Sequence, residues 1–442
     1  MPLDASRPSP SRIAIVGSGI AGLSAALDLA PHARVTLYEA AGRLGGHART
    51  VLAGKNGDQP VDTGFIVFNY ANYPHLARLF HDLDVPVEKS NMSFGVSIDG
   101  GRFEYALRSL GSLFAQRRNM ADPRFLRMLA DIARFNARAE AAVRDDSMTL
   151  DELLDELRMG AWFRRFYLRP LTGAIWSTPE ARMGAFPARA LVAFMRNHAL
   201  MSAGGHHQWF TVSGGSREYV SRIEARLREQ GVTIRLKTPV RAIEREGGKV
   251  TLHTPGAAPE AFDEVILATH PDQALAMLAT PSRAERRALS AIGFQDNHAV
   301  LHADASLMPR RRAVWSSWVY QSDSRAAERR LGVTYWMNRL QNIPDDDPLF
   351  VTLNPTRPPN AAAIYDQHSF RHPVFDAGAF AAQKEISALQ GTRNTWFAGA
   401  WLRNGFHEDG IATARRVTRR LRAEIAHARP DIARPDEPRQ VA

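Results

Sequence analysis

The segment from Arg12 to Thr50, RIAIVGSGIAGLSAALDLAPHARVTLYEAAGRLGGHART, restricts what this chain can fold into more than any other. Ile13–Val16 is a short apolar run rich in β-branched residues and reads as a buried parallel strand. Gly17-Ser18-Gly19-Ile20-Ala21-Gly22 follows at once, Leu23–Ala30 has the apolar spacing of a helix, and Val35–Tyr38 reads as a second strand closing at Glu39. In such a βαβ unit the first glycine permits a tight turn. The second lets a pyrophosphate approach the backbone, and the third lets helix and strand pack closely. The helix N-terminus offers unpaired N–H groups and a positive dipole end to the phosphates. Glu39, 22 residues after Gly17, stands where a carboxylate accepts hydrogen bonds from ribose hydroxyls. A glycine triplet alone also fits a structural turn before an ordinary helix; here strand, glycines, helix, second strand and acid arrive in order.

The residues after Glu39 separate one dinucleotide from another. Glu39-Ala40-Ala41-Gly42-Arg43-Leu44-Gly45-Gly46-His47 resembles the E-x-x-x-R-x-G-G-R/K extension of flavin-containing amine oxidases, phytoene desaturases and protoporphyrinogen oxidases. The resemblance implies FAD, with Arg43 and the Gly45-Gly46 turn reaching back over the cofactor. His47 stands where those proteins carry Arg or Lys, which implies a weaker or pH-dependent phosphate contact. Three further stretches resemble the same superfamily. In the superfamily a D-x-G like that of Val61-Asp62-Thr63-Gly64-Phe65 passes under the flavin ring, so the resemblance implies that Thr63, Gly64 and Phe65 belong to the isoalloxazine site; an ordinary strand start is the alternative. Gly214-Gly215-Ser216, a helix over 217–230 and a strand over 232–236 precede Val240, whose counterpart touches adenine through its backbone. Phe397-Ala398-Gly399 and Asp409-Gly410-Ile411 resemble the C-terminal FAD motif, the helix over 410–426 pointing its N-terminus at the ring.

The resemblance spans nearly the whole chain. It implies an α/β fold: a Rossmann-like FAD-binding domain of the amine-oxidase type, built from 1–72, 206–284 and 376–426, and an interleaved α+β substrate domain from 73–205 and 285–375. Residues 427–442, rich in Pro, Arg and Asp, read as a flexible tail. A chain of 442 residues, 45% hydrophobic, can bury cores of that size.

The absence of cysteine excludes disulfides, thiolate metal sites, thiol nucleophiles and a cysteinyl flavin link, so the FAD is expected to be held non-covalently. The leading MPLDASRPSPSR has no apolar core and reads as a short disordered lead-in rather than a signal peptide. No apolar run approaches the length that crosses a bilayer. These features point to a cytoplasmic protein, with peripheral contact on the inner face of the cytoplasmic membrane open. The net charge of +10 is almost all arginine and favours anionic partners such as phospholipid headgroups. No nucleic-acid recognition module accompanies it, so no nucleic-acid partner is expected.

Between Tyr105 and Arg158 a largely helical stretch carries Arg108, Arg117, Arg118, Arg124, Arg127, Arg134, Arg138 and Arg144 among Leu, Phe and Met. It reads either as a solvated basic face or as a surface that docks on anionic lipid with apolar residues inserted. Residues 161–176 and 186–201 are aromatic-rich and read as walls of a greasy cavity or as ordinary core. His206 and His207 lack a third ligand at metal spacing, so no metal is expected. Four runs, 298–304, 314–320, 333–338 and 350–354, read as strands of one sheet. Trp315, Trp318, Tyr320, Tyr335 and Trp336 cluster there, and alternation sends some toward a bulky apolar substrate.

For chemistry, the amine oxidases of this superfamily place an aromatic cage residue two positions before the acid-Gly, where this chain has His407, and often a lysine near N5. The five lysines, Lys55, Lys89, Lys237, Lys249 and Lys384, all fall outside the strands expected there. The phrases VDTGFIVFN, GHHQWFTVSGGS and WLRNGFHEDGI resemble a bacterial subgroup of predicted NAD/FAD-binding proteins found beside cyclopropane-fatty-acyl synthases, some linked to desaturation of methylated acyl chains on the way to furan fatty acids. That resemblance implies an acyl-lipid substrate, hydride transfer from carbon to flavin N5, a base that removes the neighbouring proton, and lipid-modifying enzymes as partners. His407 is the first candidate for that base and His298 the second, with His368 and His372, in an expected loop, behind them. An oxidase of amines or another small polar substrate and a non-catalytic flavoprotein partner are the alternatives.

Overall fold

The computed structural model describes residues 10–428 apart from 146, 177–183, 198–200, 202–206 and 323–330. His206 and the tail residues 429–442 lie outside the described residues. The chain divides into two compact units, one of Met1–Gly46, Val220–Ala291 and Ala382–Ala442, the other of His47–Tyr219 and Ile292–Ala381. Sequence-based boundaries assign 47–72 and 206–219 to the first domain. In the structure both stretches cluster with the second unit, because the strand Trp209–Val212 pairs with Val67–Phe68 and Val87–Ser90, and Ser216 bonds to Asp62.

The first unit is built on a parallel sheet ordered Thr233–Arg235, Arg34–Tyr38, Arg12–Val16, Glu264–Leu267 and Thr395–Phe397. Its central strands are apolar and buried after their first residues, Arg12 and Glu264, as strands covered on both faces must be. At the end of Arg12–Val16 the chain turns at Gly17, whose φ of +100° suits glycine and whose N–H donates to the Tyr38 carbonyl over 2.8 Å. The helix Ile20–Leu29 starts immediately, capped by Gly19 with no side chain bonding its first N–H groups. It lies so close to the sheet that a Cβ at Gly22 would overlap the Gly17 carbonyl oxygen and come within 3.2 Å of Ala268 Cβ. The helix His407–Ala428 starts a turn earlier than expected and packs on Ile20–Leu29: a Cβ at Gly410 would stand 2.8 Å from Ile20 Cγ2, and Thr418 Oγ1 donates to Asp28 over 2.9 Å.

The second unit carries a seven-stranded sheet ordered Ile364–Pro373, Phe294–His302, Phe350–Leu353, Leu331–Trp336, Trp318–Ser322, Phe94–Ile98 and Phe103–Ala106. Two expectations change. Residues 364–373 form a long edge strand rather than a loop, because they pair with Phe294–His302 along its whole length. Arg312–Val314 is a 3₁₀ turn, so that strand begins at Trp318. Register then sorts the aromatics by face. Phe94, Trp318, Tyr335, Val351 and Leu301 stand opposite one another in one row ending at Asp366; Val96, Tyr320, Val333, Leu353 and Ala299 form the next, ending at His368. Trp336 belongs to the other face, where it packs with Trp315, Met308, Val319 and Phe350 as a buried core.

Replacing Gly22 by Val drives a branched side chain into the Gly17 carbonyl. The expected result is a loss of about 3 kcal/mol or more in chemical unfolding, accompanied by loss of bound flavin absorbance.

Candidate functional site

In the first unit the glycine turn, the second strand and the last helix place their predicted residues around one backbone cradle. The Ser18 N–H and Oγ both donate to Glu39 Oε2, over 2.9 and 2.5 Å, and the Ala41 N–H donates to Oε1 over 2.8 Å. The carboxylate is thereby fixed yet keeps acceptor capacity on both oxygens for vicinal hydroxyls. A Cβ at Gly19 would meet nothing within 4 Å, and the N–H groups of Ile20, Ala21 and Gly22 have no capping side chain. An anion can therefore sit against this helix end. The Gly45 N–H donates to the Ser18 carbonyl over 2.9 Å, tying the Gly-Gly turn to the first. Arg43 folds back on its own turn, donating to the Leu44 and Gly46 carbonyls over 3.2 and 2.8 Å. Ala40 is exposed beside Glu39.

Val240 supplies the sharpest test of fit. Its residue is only 7% exposed, yet neither its N–H nor its C=O finds a hydrogen-bond partner among the described residues. Buried backbone groups are almost always paired, and an adenine edge presents the complementary donor and acceptor. At the other end of the cradle Gly399 exchanges hydrogen bonds with Thr413 Oγ1, and the Trp401 indole closes on it while donating to the Thr269 carbonyl over 3.0 Å. Asp409 turns back on the loop before its helix, accepting from the N–H groups of Asn404 and Phe406 over 3.2 and 3.0 Å. Burial pushes its carboxyl up to about 6, against the pull of those N–H groups and of Arg403. Ile411 is buried, and His407, half-buried, opens the helix.

In the second unit Phe65 donates its N–H to the His47 carbonyl over 2.9 Å, and a Cβ at Gly64 would overlap that carbonyl oxygen. Thr63 donates its N–H to the Arg49 carbonyl over 2.9 Å. The preceding Asp62, fully buried, was not singled out from the sequence, although Ser216 lay in view behind its glycine pair. It accepts from Ser216 N–H and Oγ, Thr50 Oγ1 and Gln341 Nε2, over 2.9, 2.6, 2.6 and 3.1 Å. Burial raises its carboxyl to about 6, and those donors hold it from rising further. The His47 ring lies against Phe370 and His372, centroids 5.1 and 5.6 Å away, with Nε2 at 3.2 Å from the Arg371 carbonyl. His368 packs edge-on against Phe370 at 4.5 Å.

The four histidines weighed as bases are thus spread over both units. His407 belongs to the first. His368 and His372 share the Trp318–Tyr335 face of the large sheet. His298 points to the opposite face, exposed and bonded to Gln367 Oε1 over 3.0 Å. No cluster of metal-binding side chains occurs among the described residues.

Residues 20–303 match the family described as flavin containing amine oxidoreductase. The chain belongs to this family. The flavoprotein binds FAD and is an oxidoreductase. No curated protein matches its sequence. Solved structures of similar fold include the "putative protoporphyrinogen oxidase" of Exiguobacterium sp. 255-15, at 19% identity and TM-score 0.70, covering 94% of this chain and 99% of that one. The CLA-producing fatty acid isomerase of P. acnes matches at 16% and 0.67, covering 93% and 98%. Cyclohexylamine oxidase of Brevibacterium oxydans IH-35A matches at 17% and 0.65, covering 94% and 99%.

Truncating Glu39 to Ala removes the carboxylate expected to accept from the ribose hydroxyls, and titration of FAD into apoprotein should show affinity at least tenfold weaker. For Asp409 the folded-state value lies above the ordinary 3.8, so between about pH 4 and 6 the folded chain keeps a proton that the unfolded chain has lost. Its contribution to stability is present below about pH 4 and disappears as the pH rises through 6. Wild type should therefore lose melting temperature relative to Asp409→Asn between about pH 4 and 7.

Proposed function

We propose that this flavoprotein dehydrogenates an apolar acyl chain of a membrane lipid, introducing C=C at a methyl-branched or allylic position, rather than oxidising an amine. The observation that carries the reading is the face presented by the two cross-strand rows. Phe94, Trp318, Tyr335, Val351 and Leu301 lie beside Val96, Tyr320, Val333, Leu353 and Ala299. The one acid in those rows, Asp366, is already bound by Arg49 through two hydrogen bonds of 2.6 and 2.9 Å. An ammonium placed there would meet no free carboxylate, whereas a hydrocarbon chain would lose only water. All five lysines of the chain are exposed, which leaves no buried amine of the kind common in the amine oxidases.

Bound FAD supplies the two-electron acceptor for such a reaction. The chain's own residues bind, orient and dehydrate the substrate. Trp318 offers a buried Nε1–H with no acceptor among the described residues, suited to an ester carbonyl on an otherwise greasy chain. His368 and His372, at the edge of the same face, are the nearer candidates in this unit for taking the proton, and His298 is set aside because it faces away. The fold itself serves both chemistries, being shared by a fatty acid isomerase and an amine oxidase, so the lining of the face and not the fold favours the acyl reading.

Mass spectrometry of membrane lipids from cells with and without the protein tests this. Acyl species two hydrogens lighter should accumulate only when the protein is present and should vanish with Gly22→Val. Identical lipid profiles, together with hydrogen peroxide release from an amine by the purified yellow protein, would sink it.

A further inference from the structure

We propose that the stretch from Leu107 to Arg127 is a docking surface for the anionic face of a lipid bilayer. Leu107, Leu110, Met120 and Leu126 are 42, 75, 58 and 45% exposed, and they are four of the seven large apolar side chains so exposed among the described residues. Single exposed apolar residues are ordinary, but four within 20 residues of chain are not. They do not result from loose packing. Phe125, within the same stretch, is fully buried, with the rings of Phe103, Tyr105 and Phe114 at 5.9, 5.7 and 6.0 Å. Gln116 Nε2 donates to the Arg102 carbonyl over 2.8 Å and Asn119 Nδ2 to the Glu104 carbonyl over 3.3 Å, so the backbone presenting the apolar tips is fixed.

Charge identifies the partner. The same stretch holds five arginines, Arg108, Arg117, Arg118, Arg124 and Arg127, and one acid, Asp122, which is taken by Arg124 at 2.8 Å. Arg127 reaches back to Asp131 at 3.5 Å. Arg108 and Arg117 form no ion pair among the described residues, and Arg118 donates to the Arg102 carbonyl. Glu104, the acid beneath, is fully buried and bound by Arg311 and by the N–H of Arg310. Farther along, the pattern reverses: Asp131 also binds Arg134, Glu156 faces Arg144, and Glu140 binds Arg196. That part is an ion-paired face, with Asp131 buried beneath its arginines. Unpaired arginines beside outward leucine and methionine suit a bilayer, where guanidinium groups meet phosphates and apolar tips enter the acyl boundary. A nucleic acid would match the arginines and leave the leucines in water. The surface is argued independently of the substrate, since binding to a vesicle requires no turnover.

Flotation of the FAD-loaded protein with phosphatidylcholine vesicles, with and without phosphatidylglycerol, tests the assignment. Wild type should float with the anionic vesicles at low salt, stay behind with the neutral ones, and be released as salt rises. The double variant Arg108→Gln with Arg117→Gln should lose about fivefold in partition per arginine removed. Leu110→Glu with Met120→Glu should lose binding at every salt concentration. Both pairs sit on the surface, so flavin absorbance and melting temperature should match wild type. Equal flotation of either pair and wild type, equal binding to neutral vesicles, or retention only on an acidic protein or RNA would overturn it.

Discussion

The first unit depends on one approach that only glycine allows, the helix Ile20–Leu29 lying against the turn at Gly17 with no room for a Cβ at Gly22. That approach aims the first-turn N–H groups over the end of the sheet and sets the Ser18 N–H and Oγ on Glu39. It also fixes the axis on which the last helix packs, through Gly410 against Ile20 and Thr418 against Asp28. The placement of both helix N-termini thus follows from a single steric condition in the first turn.

Such a condition is written locally, and for that reason it was legible. Strand, glycines, helix and acid lie within 40 consecutive residues, and each can be read from spacing alone. The large sheet was legible only in part. Odd–even spacing already separates Tyr335 from Trp336, so opposite faces for that pair follow from the chain itself, whereas Trp315 lies before the strand that begins at Trp318. Which strand stands opposite which does not follow from it. The pairing of Ala299 with His368 decides that His368 shares the apolar face, while His298, next to Ala299 in its own strand, leaves it; a shift of one residue in the edge strand would move His368 to the other face. Residues 364–373 looked like a loop because DQHSFRHP is polar; an edge strand with one face in water tolerates that composition once a partner pairs along its length.

The arginines show the same division between what composition says and what folding decides. Eight of them in one stretch look like one basic face. The acids that split that face come from a helix turn away (Asp131 for Arg127 and Arg134) and from another helix (Glu156 for Arg144), and only the fold delivers the second kind. Burial explains why titration was equally hidden. Asp62 and Asp409 look like ordinary carboxylates in the sequence, and both rise to about 6 because the protein encloses them faster than its donors compensate.

Asp62 also accounts for two sequence signals that stand far apart. D-x-G at 62–64 and Gly-Gly-Ser at 214–216 resemble separate landmarks, yet the carboxylate of one receives the backbone N–H and hydroxyl of the other. A Cβ at Gly215 would come within 2.6 Å of Thr50 Cγ2, so the bare backbone there lets the chain carry Ser216 past that threonine. Thr50 and Gln341 complete the ring of donors, the Gln341 side chain also accepting from the Asp62 N–H over 2.8 Å. With its anchor bound at four points, the chain leaving Asp62 has little freedom before Gly64 seats on the His47 carbonyl. The residues expected to meet the flavin ring, Thr63 to Phe65, are therefore positioned by a buried carboxylate one step upstream, and a change at Ser216 should move them as surely as a change at Gly64.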